Sequence, residues 1–166
     1  MGIILELARA RQRIAELEKL IVPDPPEITR LVKPVNDVSS ELFNIGLSQL
    51  YRPCDFQYVY TDSMGWIEVI SYIYTYMPMP AYFVKPDGTW NLDCEDWAIW
   101  FKAMVSLNFG LNYCGLVYGA IPQGEHGFNL LRDEEGPKLY EPQPSQDINY
   151  PFYQDENGYH ARDILM

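Results

Sequence analysis

Asp93-Cys94-Glu95-Asp96-Trp97-Ala98 is the stretch on which the fold turns. An acidic residue, a cysteine and a run of aromatic and aliphatic side chains predict the first turn of a buried helix. Asp93 suits the N-cap, where a carboxylate accepts orphan backbone N–H groups. Asp96, three residues on, gives a weak capping box. From Cys94 the apolar positions recur at Trp97, Ala98, Phe101, Met104 and Val105, the spacing of one helix face. Cys94 lies on that face, so its sulfur is expected inside the fold. The positive end of the helix dipole favours thiolate there. Glu95 and Asp96 oppose it, and the sequence leaves the sign of the shift open.

Upstream, Trp90 and Asn91 lead into this helix from an extended run at 82–84 and the turn Lys85-Pro86-Asp87-Gly88. Two scaffold helices are expected before that, one over 36–50. The other is capped by Thr61 or Asp62 and runs through Trp66, Ile67, Ile70, Ile73, Tyr74 and Met77 to Pro78 and Pro80. Downstream the pattern turns to strands at 113–121, 125–132 and 137–141, with Gly115 and Gly119 as points of close packing. The turn Asp155-Glu156-Asn157-Gly158, flanked by Phe152-Tyr153 and Tyr159-His160-Ala161, predicts a small hairpin in the tail.

A four-residue loop at Asp133-Glu134-Glu135-Gly136 sets Arg132 opposite Pro137 and Leu130 opposite Leu139. Side chains alternate along a strand, so His126, Phe128 and Leu130 share a face with Leu139 and Glu141. His126 and Glu141 become diagonal neighbours. The apolar members of that face are expected to pack on the Cys94 helix and bring the imidazole toward the sulfur.

Residues 3–21 carry a heptad pattern, with Leu7, Ile14 and Ile21 at one core position and Ile3, Ala10 and Leu17 at the other. Three heptads make a marginal helix alone. Pro23-Asp24-Pro25-Pro26 detaches them from the rest of the chain, so self-association as a dimer or trimer is expected. The organisation expected is an oligomerising helix over 1–22, a proline-rich linker over 23–32 and one domain over 33–166.

A chain of 166 residues is long enough for one domain with a sizeable core. Its formal net charge of −11 argues against nucleic acid or an anionic membrane as partner; solubility is the simpler meaning of that charge. No apolar run has the length of a membrane span, and the N-terminus turns charged too soon for a signal peptide. Cys54, Cys94 and Cys114 have no paired spacing, which fits a reducing compartment. The expected setting is therefore cytoplasmic or part of a larger assembly. With no CxxC pair, and only His126 and His160 as histidines, no metal or cofactor is expected. A metal site of Cys94, His126, Glu141 and Asp96 is possible in chemistry, but two of those ligands sit on a helix turn suited to capping. Cys54 and Cys114 are expected to be structural and His160 a surface residue. Tyr72, Tyr74, Tyr76, Trp97 and Trp100 are expected in the core or lining a groove.

Asp-Cys-Glu-Asp-Trp-Ala at 93–98, Glu-His-Gly-Phe-Asn at 125–129 and Leu-Tyr-Glu-Pro-Gln at 139–143 resemble the transglutaminase-like cysteine peptidase superfamily. The resemblance covers residues 80–145. The family's usual acid is an Asp followed by Pro, where this chain has Glu141-Pro142, and its usual aromatic after the histidine is Trp, where this chain has Phe128. The resemblance implies an α+β, papain-like fold, with a central Cys-bearing helix packed on an antiparallel sheet. It implies Cys94 as nucleophile, His126 as general base and then acid, and Glu141 as orienter of the imidazole. The backbone N–H of Cys94 is a natural oxyanion donor, with Trp90 or Asn91 supplying a second donor or lining the substrate groove. The implied function is thiol-dependent hydrolysis of a peptide or protein amide, as a peptidase or amidase, or acyl transfer. The alternative expectation is an oligomeric structural or attachment protein, as in a virion or other large assembly, with a silent transglutaminase-like domain.

Overall fold

A computed structural model of the chain describes residues 13, 22–49, 55–77, 93–143, 152–153 and 158–166. The heptad segment other than Arg13, Cys54, the run at 82–84 with its turn, Trp90 and Asn91 lie outside the described residues.

Residues 22–30 have no regular structure and lead into β1 (Leu31–Pro34), α1 (Val35–Asn44), β2 (Ser48–Gln49), β3 (Gln57–Tyr60) and α2 (Ser63–Tyr76). After these come α3 (Cys94–Phe109), β4 (Cys114–Ile121), β5 (Gly124–Arg132), β6 (Pro137–Tyr140), β7 (Phe152–Tyr153) and β8 (His160–Leu165). The helix expected over 36–50 stops at Asn44, because the chain turns at Gly46 with φ 80°, a conformation that glycine adopts without steric cost. Asp62 does cap α2, its carboxylate accepting the Gly65 N–H at 2.7 Å. Asp93 occupies the N-cap of α3 without a side-chain capping bond. That helix runs to Gly110, which ends it in the left-handed region.

The main sheet has six strands in the order β2-β8-β4-β5-β6-β7, and β1 pairs with β3 in a separate two-stranded sheet. The expected antiparallel sheet is corrected to a mixed one, since β2 pairs with β8 in parallel. The expected tail hairpin does not form. Phe152 and Tyr153 pair with β6, whereas β8 inserts between β2 and β4, near the opposite end of the sheet. Pairing partners with more apolar surface outcompete the local turn. Gly119 makes room for β8, as a Cβ there would lie 2.1 Å from the His160 carbonyl oxygen.

Arg132 pairs with Pro137 and Leu130 with Leu139, the register expected from the loop length. Helices cover both faces of the sheet. Trp66, Ile70 and Ile73 of α2 and Phe101, Val105 and Phe109 of α3 pack with Leu131 on one side. Val38 and Leu42 of α1 pack with Val117, Phe128, Leu130 and Ile164 on the other. The face carrying Phe128 and Leu130 therefore meets α1 and not α3. This reverses the expected packing, because α2 and α3 together already fill the opposite face.

Candidate functional site

Cys94 begins α3, where the helix end meets β5. Its sulfur accepts the Gly127 backbone N–H at 3.3 Å, and its thiol donates to Glu95 Oε2 at 3.0 Å. Gly127 permits the approach: a Cβ there would stand 3.0 Å from Glu95 Cα and 3.1 Å from Glu95 N. Burial pushes the Cys94 thiol up and the bond to Glu95 pushes it further, with the Gly127 N–H opposing them. Glu95 is held below the usual carboxylate range, chiefly by that thiol. The pair is thus a neutral thiol against a carboxylate. The balance that the sequence left open leans toward thiol, because burial and Glu95 outweigh the Gly127 N–H.

His126 and Glu141 do meet. Nε2 of His126 is 2.5 Å from Oε2 of Glu141, which is 2 % exposed. Glu141 also accepts the Tyr159 hydroxyl at 3.3 Å and the Gln143 N–H at 3.1 Å. Tyr159 sets its ring edge against both His126 and Phe128. A carboxylate with three donors meets the requirement for burying a charge. Gly127, Asn129 and Leu131 of β5 meet α3, the Asn129 amide donating to the Ala98 carbonyl at 3.0 Å. His126 alternates with them along β5, and its imidazole lies near enough to Glu95 to help lower that carboxyl. The bonds of the thiol run to Gly127 and Glu95, and that of the imidazole to Glu141. The structure thus joins His126 to Glu141 and places Cys94 against the strand between them, with its own carboxylate partner.

Cys114 is fully buried, its thiol pushed up to about 12 by burial. His160 is exposed.

A second feature was legible only in part. On the outer side of α2, Glu68, Ser71, Tyr72 and Tyr76 face Asp24 and Pro26 across an open groove of about 440 Å³. The spacing of the four helix residues puts them on one face. The Tyr72 hydroxyl donates to the Pro23 carbonyl at 2.6 Å, which fastens the segment 22–30 along the helix. The rings of Tyr72 and Tyr76 lie 5.2 Å apart at 50°. Burial, and then Asp24 and Tyr76, raise the Tyr72 phenol. Tyr72 and Tyr76 were expected as core or groove lining; Asp24, Glu68 and Ser71 carried no signal, because exposed polar residues are the ordinary surface of a helix.

No protein-family model and no curated protein matches the chain. Among solved structures it is similar to PSL1a in its complex with E64, at 21% identity and a TM-score of 0.57 over 82% of this chain and 51% of that one. It is also similar to Polyporus squamosus lectin bound to the human-type influenza-binding epitope Neu5Acα2-6Galβ1-4GlcNAc, at 18% identity and a TM-score of 0.56 over 82% of this chain and 50% of that one. At this identity the likeness is one of fold. The chain spans about half the length of each.

These likenesses correct the family assignment. The structures that share the fold are described as PSL1a and a lectin rather than as transglutaminase-like peptidases, so the papain-like, transglutaminase-like fold class is withdrawn. With it go the cysteine peptidase, amidase and acyltransferase activities, the peptide or protein amide substrate, and the silent transglutaminase-like domain of an attachment protein. The geometry supplies a physical reason. The Cys94 sulfur lies 3.0 Å from Glu95 Oε2, and a carboxylate that close raises the thiol pKa and disfavours the nucleophilic thiolate. Among the described residues no helix is long and apolar enough to cross a membrane.

Proposed function

We propose that this chain binds carbohydrate. The observation that supports the reading is the fold it shares with Polyporus squamosus lectin, described with a bound sialylated trisaccharide. A binding role asks for no activated nucleophile, and a Cys94 thiol raised by burial and Glu95 suits it. In this reading the hydrogen bonds of Cys94, His126 and Glu141 fasten α3, β5 and the segment after β6 to one another.

The organisation expected from the sequence suits the same role. Residues 3–21 gather two or three copies, the proline-rich 23–32 joins them to the domain over 33–166, and linked sites raise a weak affinity by avidity. Labelled full-length protein on an array of neutral and charged oligosaccharides tests the reading. Saturable binding to a defined set of sugars supports it; an empty array at high protein concentration overturns it. Light scattering on the full chain and on one lacking residues 1–22 tests the assembly. The shorter chain is expected as a monomer, and an unchanged oligomer would remove the role of the heptads.

A further inference from the structure

We infer that the groove between α2 and the segment 22–30 is where sugar binds, and that it selects uncharged sugars over sialylated ones. The inference rests on the carbohydrate-binding reading and adds to it a place and a chemical class.

Tyr76 offers exposed ring surface to the groove, backed by the buried ring of Tyr72, and Asp24, Glu68 and Ser71 offer oxygen atoms around it. A sugar ring has two kinds of surface. Its C–H faces are apolar and pack on aromatic rings, which carry a negative π-face. Its rim of hydroxyls donates hydrogen bonds, and an ionised carboxylate is an acceptor only. Hydroxyl-to-carboxylate bonds are charge-assisted and among the strong ones. Tyr76 is 43% exposed and Tyr72 5% exposed. Tyr72 is anchored through its hydroxyl to Pro23 and packs on Phe109, so the ring that backs Tyr76 is fixed before a ligand arrives. The volume, about 440 Å³, falls in the range of about 300–1,000 Å³ usual for small-molecule sites.

Charge decides the class. None of the described residues lining the groove is a lysine or arginine, and two are carboxylates. The whole chain carries −11. A sialic acid would bring a further carboxylate next to Asp24 and Glu68 with no cation to meet it. Discrimination by such repulsion is as effective as a new attraction. This chain is therefore expected to differ in preference from the lectin that shares its fold.

The test is calorimetric titration of the full chain with a panel of neutral saccharides that includes Galβ1-4GlcNAc, and with Neu5Acα2-6Galβ1-4GlcNAc. Neutral sugar is expected to bind at least tenfold more tightly than its sialylated form. Tyr76→Ala is expected to weaken binding at least tenfold, and Glu68→Lys to narrow the preference or reverse it. Both side chains are exposed, and unchanged circular dichroism confirms that the variants fold. Sialylated sugar binding as well as neutral sugar, or sugar binding untouched by both variants, overturns the inference while leaving carbohydrate binding in place. No binding by any saccharide overturns both.

Discussion

His126 Nε2 and Glu141 Oε2 stand 2.5 Å apart although 15 residues separate them in sequence. The β5–β6 register places them diagonally on one face, and the Tyr159 hydroxyl, reaching in from ahead of β8, completes the set. The pair thus holds three segments of the chain at one point. Replacing His126 by alanine leaves a buried carboxylate one donor short, which costs about 1–3 kcal/mol. Urea unfolding is expected to show that loss for His126→Ala and a smaller one for Tyr159→Phe. Equal stability of wild type and His126→Ala would mean that the pair contributes nothing net.

Cys94 is expected to be a slow nucleophile at neutral pH. Burial and Glu95 hold the thiol up, so alkylation by iodoacetamide should accelerate only as pH rises past the ordinary thiol range. Glu95→Gln removes the carboxylate and should move that acceleration to lower pH. Mass spectrometry of the Cys94 peptide, sampled across pH, reads both. Rapid adduct formation with iodoacetamide at pH 7 would show a thiolate and overturn this expectation.

Cys114 gives the fold an alkaline weakness. Its folded thiol holds its proton up to about 12, whereas a thiol in the unfolded chain loses it near about 8.5. Between those values the folded state binds a proton that the unfolded state has lost, so stability is full below the lower value and falls as pH rises. The slope approaches about 1.4 kcal/mol per pH unit. Cys94 acts in the same direction. Unfolding midpoints at pH 8.5 and 9.5, below the main titration of unfolded tyrosines, should separate for wild type and draw together for Cys114→Ala. Parallel behaviour of the two proteins would sink the assignment.

Glu41 gives it an acid weakness. Burial alone would raise this carboxyl, but hydrogen bonds from Lys33, Arg132 and Tyr113 outweigh it and lower the pKa. The contacts measure 2.8 Å, 3.1 Å and 2.8 Å and join β1, α1, β5 and the residue just before β4 around one side chain. A lowered folded pKa contributes stability above the unfolded value, and that contribution is lost as pH falls through the folded one. Glu41→Gln is expected to cost about 1–3 kcal/mol at pH 7 and to flatten the loss of stability below about pH 4.5. An unchanged acid limb in the variant would refute the role.

Gly127→Ala should loosen the contact of α3 with β5. The added methyl meets backbone of Glu95, which cannot swing away as a side chain would. Forcing atoms into a filled core costs about 1–3 kcal/mol. Amide exchange of residue 127, whose N–H rests on the Cys94 sulfur, is expected to quicken. Protection equal to wild type would count against the contact.

Much of this architecture was written in local pattern. Trp97, Phe101 and Val105 repeat at helical spacing, and the four-residue loop at Asp133 to Gly136 fixed which residues of β5 and β6 face one another. Two facts were out of local reach. Leu131 and Leu130 are both apolar and adjacent, so a strand buried on both sides gives no hint of which face meets which helix. His126 was accordingly set on the α3 side, when Gly127 and Asn129 hold that position. The tail misled for a different reason. Asn157-Gly158 invites a tight turn, but Ile164 finds more burial beside Val117 than a two-strand ribbon offers. The family resemblance leaned on a cysteine, a histidine and an acid in order; of these the strand register brings His126 and Glu141 together.

β8 lies between β2 and β4, yet residues 160–165 are made long after both. Until then a nascent chain displays β4 with one flank bare, and β2 lacks the strand it pairs with. Closing that gap joins Gln49 to Ile164 across more than half the sequence, a separation that slows folding. An interval of exposed strand during synthesis is the condition under which chaperones hold a chain. The molecule therefore carries, in the position of a single strand, a demand on the cell that makes it.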